Sequence, residues 1–437
     1  MDLPRDLGDG LVLRRAETDE DVAGIIKLAE AVLTRGHPEA DIAGLIRSMT
    51  GDNHPTMQRS DYYMVESTVT GEVVSSMCLI PQVWAYEDIP FGVGRPELVA
   101  TLPAYRRRGL VRAQFEALHA DCAARDLPVQ GITGINYFYR RFGYEYALGM
   151  GGGCHVYLDA VPKLSEGEDE PYTARPATPD DIPAIMEMAA DHFGGLMVTC
   201  RRDARVWRHL LREESCVDSP DYYMLAAADD GALVGYFALA DDLWAETVNM
   251  LELVLAVGVP YTGALPSVMR AAKHLAETTY ATPEGARRKL RCRLGQAHPA
   301  YDLLADYDAA MRDPYAWYIR VSDLPGFLKR IRPVLERRLA GSPVAGYTGE
   351  VKVTFYSEPG VRLKLDAGRL VKIASTDPAD EDESAGFPPG VFLKLLFGYR
   401  NFEELRDAFP DVWAGRDERT LLEALFPKRL SWVRPIE

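Results

Sequence analysis

Positive charge and cysteine are both scarce in this sequence, and each shortage closes off a class of function. Lysine and arginine number 49 against 65 aspartates and glutamates, a formal net charge of −16. A general nucleic-acid binder needs a basic face and is not expected. A negative surface instead steers cationic partners and substrates. The six cysteines stand at 78, 122, 154, 200, 216 and 292, and no C-x-x-C occurs. That spacing supports neither a zinc knuckle nor a disulfide scaffold, so a reducing, cytoplasmic setting is the expectation. The histidines are dispersed and suggest no metal site. No run approaches about 18 uncharged apolar residues, so no membrane span is expected. The opening MDLPRDLGDG lacks the basic-then-apolar order of a signal peptide. A G-x-x-x-x-G-K-S/T loop is also absent, which argues against a nucleotide triphosphatase.

What is present is length and repetition. With 437 residues, 47% hydrophobic and 26% charged, the chain has material for about two to four domains. LVLRRAETDEDVAGI (11–25) and PYTARPATPDDIPAI (171–185) match at a shift of 160, which pairs Arg15, Thr18, Asp21 and Ile25 with Arg175, Thr178, Asp181 and Ile185. The same shift brings DYYMVESTVTGEVV (61–74) onto DYYMLAAADDGALV (221–234), with Gly71 on Gly231. One offset over two separate segments indicates two copies of one domain. In each copy a short strand leads into a T-x-x-D helix cap, and a hairpin follows. Beyond the second copy the pattern changes. FLKRIRPVLERRL (327–339) has helical spacing, 351–357, 361–368 and 369–375 alternate like antiparallel strands, and short helices follow. The expected limits are 1–160, 161–315 and 316–437.

The most concentrated chemistry is AYRRRGLVRAQ (104–114). ELVATLPAY (97–105) reads as a strand bent at Pro103, and GLVRAQFEALHADCAARD (109–126) as a helix with Leu110, Ala113, Leu118 and Cys122 on one face. A helix N-terminus offers unpaired amides and partial positive charge, Gly109 permits close approach, and the arginines add charge. Strand, arginine turn and helix together make a diphosphate site. The next segment, PVQGITGINYFYRRFGYEYAL (128–148), supplies a second strand, a short helix closed by Gly143, and the hydroxyls of Tyr137, Tyr139, Tyr144 and Tyr146. Two neighbouring strand ends with a gap between them suit a long cofactor arm.

On these residues the chain resembles the GCN5-related N-acetyltransferases (GNAT), whose R/Q-x-x-G-x-G/A motif is matched by Arg106-Arg107-Arg108-Gly109-Leu110-Val111, with valine in the last small position. YRRRGLVRA followed by FYRRFGY is similar to the enhanced intracellular survival (Eis) acetyltransferases. The resemblance implies an α/β and α+β architecture over the whole chain: tandem GNAT folds with mixed central sheets, then a sterol-carrier-protein-like α+β domain. It implies acetyl-CoA as co-substrate, with the backbone of Leu98, Val99, Ala100 and Thr101 along the pantetheine and Arg106 to Arg112 at the diphosphate. It further implies Tyr139 as general acid, the C-terminal carboxylate, here Glu437, as base, and a homo-oligomer, a hexamer in that family. The acceptor would be a small-molecule or peptide amine, of aminoglycoside, polyamine or lysine type, and the Glu437 side chain would select a cation.

Other candidates come from position alone. Trp84, Tyr86 and Glu87 are a plausible substrate wall, and His54 lies in a possible substrate loop. His119 and Tyr144 read as packing residues. The second copy, at 251–277, lacks both the R-x-x-G-x-G/A turn and a following tyrosine motif, so it reads as a structural partner that completes the substrate cavity. The competing reading is a non-catalytic protein that carries an apolar ligand in its last domain.

Overall fold

Two capped helix starts anchor the repeat. The computed structural model describes residues 3–34, 41–212, 220–242, 247–282, 285–307, 309–378 and 383–436. In it the Asp21 carboxylate accepts the Thr18 amide at 3.0 Å and the Asp181 carboxylate accepts the Thr178 amide at 2.8 Å. Each aspartate also takes a two-pronged arginine, Arg14 in the first copy (2.6 and 3.0 Å) and Arg175 in the second (2.7 and 2.8 Å). The structural counterpart of Arg175 is therefore Arg14, not Arg15. Arg14 lies opposite Met64 as Arg175 lies opposite Met224, whereas Arg15 points to the other face and bonds Asp121. The second copy has one residue fewer between strand and cap, and in a strand a single residue changes the face. The hairpins keep the 160 offset: Gly71 and Gly231 both turn with positive φ (72° and 73°), and their amides bond the carbonyls of Ser67 and Ala227.

Each copy builds a mixed sheet, and the sheets trade strands across the expected limits. The first runs in the order Arg5–Gly8, Leu11–Arg15, Tyr62–Ser67, Val73–Tyr86, Ile89–Thr101, Val129–Ile132, Pro314–Val321, Glu145–Gly151. Pro314–Val321 comes from far along the chain, yet its buried Ala316, Trp317, Tyr318 and Ile319 fill the gap beside Val129–Ile132. The second sheet runs Ala310–Met311, Cys154–Tyr157, Lys289–Cys292, Thr247–Leu255, Leu233–Asp242, Asp221–Ala227, Tyr172–Pro176. The last third forms a five-stranded sheet, Arg369–Thr376, Glu358–Asp366, Gly349–Phe355, Ala385–Gly386, Trp413–Ala414. The helical run expected over 327–339 is two helices, Leu324–Arg330 and Arg332–Ala340, broken at Ile331, because Pro333 has no N–H to donate to the carbonyl four residues back and fits only in the first turn of a new helix.

Candidate active site

The site begins with a bulge. Val73–Tyr86 and Ile89–Thr101 pair as Ser76↔Ala100 and then Cys78↔Glu97, so Leu98 and Val99 share one partner position, and Leu98 sits at φ 50°. On its other side Ile89–Thr101 runs parallel to Val129–Ile132 through Val93↔Val129 and Gly94↔Gln130. Past that ladder lies a groove of about 1020 Å³ with Val99, Thr101, Gly109, Val111, Ile135 and Phe138 among its lining residues. Of the four strand residues expected along the pantetheine, Val99 and Thr101 face this groove. Leu98 packs on the cluster around Ile25 and Ile46, and Ala100 is buried, its carbonyl taken by the Ser75 hydroxyl at 3.0 Å.

Gly109 caps the helix Leu110–Ala124 in the left-handed conformation (φ 79°), and no side chain caps the first turn. Its amides are left for a ligand. A Cβ at Gly109 would meet nothing within 4 Å, so this turn opens on space. The arginines divide their work. Arg106 Nε donates to the Thr101 carbonyl (3.2 Å) and ties the turn to the strand. Arg107, at φ 64°, and Arg112 line the groove, while Arg108 lies over the Tyr105 ring, 5.3 Å from its centroid. Arg141, from the short helix Tyr139–Phe142, joins them on the lining; the sequence reading left it out. A cationic helix start above an apolar trough fits acetyl-CoA, whose diphosphate would meet the amides and whose arm would follow Val99 and Phe138. In the second copy the corresponding helix is Tyr261–Thr278. Its first turn carries no arginine, and a Cβ at Gly263 would lie 3.6 Å from the Tyr172 hydroxyl, which covers that end.

Tyr139 is buried in a ring cluster with Phe115, Phe138, Tyr144 and Tyr318. Burial, with the charge of Glu97 and the nearby Tyr315, pushes its phenol above the usual value of about 10. His119 is held by the Tyr144 hydroxyl at 2.9 Å, and burial lowers its pKa to about 3. Both are packing residues here, as read.

Trp84, Tyr86 and Glu87 take a different place from the substrate wall expected of them. Trp84 and Tyr86 are fully buried in the hydrophobic cluster that joins the hairpin tip to the last domain, and the Tyr86 hydroxyl donates to the Leu396 carbonyl at 2.6 Å. Glu87 binds Arg338 at 2.6 Å and also pairs with Arg429. A strand that alternates aromatic and apolar residues is as good for burying a neighbour as for lining a cleft, and here it buries one. His54 is buried too. Its Nδ1 accepts the Met57 amide at 2.9 Å, and its ring meets His209 edge-on at 4.7 Å.

The tail is the part sequence reasoning located least well. Glu437 lies outside the described residues, but the chain leading to it is held throughout. The Trp432 amide bonds the Val198 carbonyl at 2.9 Å, and Arg202 donates to the Arg434 carbonyl at 3.0 Å. The Ile436 carbonyl accepts Gln82 Nε2 at 2.8 Å and Arg95 Nη1 at 3.0 Å. Arg95 lies over the Trp317 ring and pairs with Glu97, at the edge of the bulge. Glu252 completes the clamp. Burial works to raise its carboxyl, but Arg202 at 2.8 Å, with Arg434 at 3.5 Å, outweighs it and holds the group below its usual range. Gln82, Arg95 and Glu252 did carry a signal: each is a polar residue within a strand of buried apolar ones. Glu252→Gln leaves Arg202 buried without its counter-charge. The expected cost is about 3–5 kcal/mol, read as a lower urea midpoint. Because the Glu252 carboxyl is depressed in the folded state, its contribution is present above about pH 4 and is lost as pH falls through the depressed value.

Between the two sheets and this tail lies a second cavity of about 240 Å³. Its lining includes Arg95, Arg202, Arg212, Arg293 and Arg434, and no aspartate or glutamate is among the described residues there.

Residues 13–147 match the family model described as acetyltransferase (GNAT) domain. No curated protein matches the sequence. Among solved structures the chain is similar to a conserved protein of unknown function from Enterococcus faecalis V583 (TM-score 0.68, 13% identity, 98% of this chain and 100% of that one). It is similar as well to a GCN5-related N-acetyltransferase from Kribbella flavida (0.62, 16%, 98% and 100%). A third is Eis1 from Mycobacterium abscessus (0.59, 16%, 95% and 97%). At these identities the likeness establishes the fold, from end to end of the chain. Residues 13–147 are thus a GNAT acetyltransferase domain, set in a chain with the full-length fold of such proteins, and the expected class of acetyl-CoA-dependent N-acetyltransferase is borne out.

Proposed function

We propose that the protein transfers the acetyl group of acetyl-CoA to a primary amine by direct attack, in the first copy alone. The observation that carries this reading is the open, uncapped helix start at Gly109 above an apolar groove, with Arg107, Arg112 and Arg141 beside it. The amine attacks the thioester carbonyl, the C–N bond forms and the C–S bond breaks. Donors on the strand Ile89–Thr101 polarise the carbonyl as charge develops. Tyr139 donates a proton to the leaving sulfur, which its protonated phenol can do at neutral pH. The Glu437 carboxylate takes the proton from the amine. In support of that role, the described tail ends one residue short of Glu437, at a carbonyl held by Gln82 and Arg95. The second copy and the last domain hold this tail and wall the acceptor cavity. Their reading as a degenerate GNAT unit and a sterol-carrier-like unit rests on the resemblance.

The test is release of free thiol from acetyl-CoA on adding primary amines to the full-length protein. Thiol release that depends on both substrates, with an acetylated amine as product, is expected. Thiol release without acetylated amine would contradict the reading.

A further inference from the structure

One tyrosine hydroxyl from far along the chain holds a loop at the edge of the groove. Tyr315 stands on the strand Pro314–Val321, and the loop 133–138 joins the strand Val129–Ile132 to the short helix Tyr139–Phe142. The Tyr315 hydroxyl lies 3.1 Å from the Gly134 carbonyl, 2.8 Å from Asn136 Oδ1 and 2.7 Å from the Tyr146 hydroxyl. A phenol has one proton to give, and both loop oxygens only accept. Tyr315 therefore donates to the loop, and its oxygen takes the proton of Tyr146.

The loop has little else to fix its shape. Ile135 and Tyr137 are 59% and 73% exposed, so their side chains add little packing. Gly134 and Tyr137 both hold positive φ (111° and 65°), which suits glycine but is unfavourable for tyrosine. Yet the loop borders the chemistry. Ile135 and Phe138 line the groove. A Cβ at Gly134 would lie 3.9 Å from the Tyr139 hydroxyl, so the backbone that Tyr315 binds runs beside that group. The Tyr146 arm leads to the same place. Its ring stacks on Tyr318 at 3.8 Å, and Tyr318 meets Tyr139 edge-on at 5.5 Å.

Resting on the transferase reading above, we propose that Tyr315 is a positioning residue for acetyl transfer: its hydroxyl fixes the segment 134–136 so that Ile135 and Phe138 lie along the acyl-carrying arm and the Tyr139 hydroxyl faces the leaving sulfur. Tyr315 acts through the loop. The site of the first copy thus depends on a strand that follows the second copy in the chain.

The experiment uses the full-length protein and a primary amine that the wild type acetylates. It measures kcat/KM for acetyl-CoA in Tyr315→Phe, Tyr146→Phe and Asn136→Leu. It also measures the affinity for adenosine 3′,5′-bisphosphate, which carries phosphates but no arm. Tyr315 is partly buried at a strand end, and phenylalanine keeps its ring. Tyr315→Phe should lower kcat/KM by about tenfold, the loss expected of one to two hydrogen bonds, while bisphosphate affinity stays within about twofold. Tyr146→Phe leaves the bonds to the loop in place and should stay within about threefold of wild type. Adding Asn136→Leu to Tyr315→Phe should cost no more than about twofold further, because both remove the same tie. A Tyr315→Phe enzyme within about twofold of wild type overturns the proposal. So does an equal loss in Tyr146→Phe, or a matching loss of bisphosphate affinity, since a merely structural role would give either. Should Tyr315→Phe not fold, Asn136→Leu, at an exposed position, decides: a loss of about threefold or more is expected, and none overturns the proposal. A wild type that neither binds acetyl-CoA nor acetylates any primary amine overturns the transferase reading itself, and this inference with it.

Discussion

Tyr139→Phe lowers kcat by about 10²-fold or more, the range lost with a general acid, while the affinity for acetyl-CoA stays within about twofold. The variant keeps the ring, and the ring is what packs. Its neighbours Phe138 and Tyr318 lie at centroid distances of 5.1 and 5.5 Å, and neither contact involves the hydroxyl. The diphosphate end of the groove, at Gly109 and Arg112, does not contain Tyr139 and is left intact. The pH profile gives a second readout. Burial and the Glu97 charge raise the phenol above about 10, so the proton-donating form persists through the alkaline range, and kcat should not fall for loss of this proton until pH exceeds about 10. A variant whose kcat lies within about twofold of wild type would remove Tyr139 from the mechanism.

Deletion of residues 435–437 abolishes turnover, by about 10²–10⁴-fold, without unfolding the protein or weakening acetyl-CoA binding. Trp432 stays bridged beside Thr199, and Arg434 stays with Glu252, so the clamp on the tail survives. What is lost is the carbonyl bonded by Gln82 and Arg95 and the carboxylate that follows it. Circular dichroism and a thermal melt check the fold. Full activity in the folded truncation would rule out a C-terminal base, and Glu97, the carboxylate whose charge already reaches Tyr139, would become the candidate.

What the sequence disclosed was local. The T-x-x-D caps, the Gly71 and Gly231 turns and the arginine turn before Leu110–Ala124 each depend on residues within a few positions of one another. All of them stand in the structure. What it withheld was non-local. Nothing near Pro314–Val321 says that it pairs with Val129–Ile132, some 190 positions away in the Arg320↔Gln130 register (320 − 130). For the same reason Trp84 and Tyr86 look like a wall until the last domain is set against them. The one-residue slip between Arg14 and Arg175 was hidden because an Arg-Arg pair offers two alignments, and only the face of the strand decides between them.

The central claim is that acetyl-CoA binds at the arginine turn of the first copy. Its most direct test is calorimetric titration of acetyl-CoA into the wild type and into Gly109→Glu, with folding checked by circular dichroism. Gly109 holds φ 79°, a conformation that costs an L-residue about 1–2 kcal/mol, and a side chain there projects into the open groove. Glutamate would add a negative charge where the diphosphate meets the helix amides. The account predicts binding to the wild type and loss of about 100-fold or more in affinity for the folded variant. Equal affinity in both, or no binding to the wild type, would contradict it.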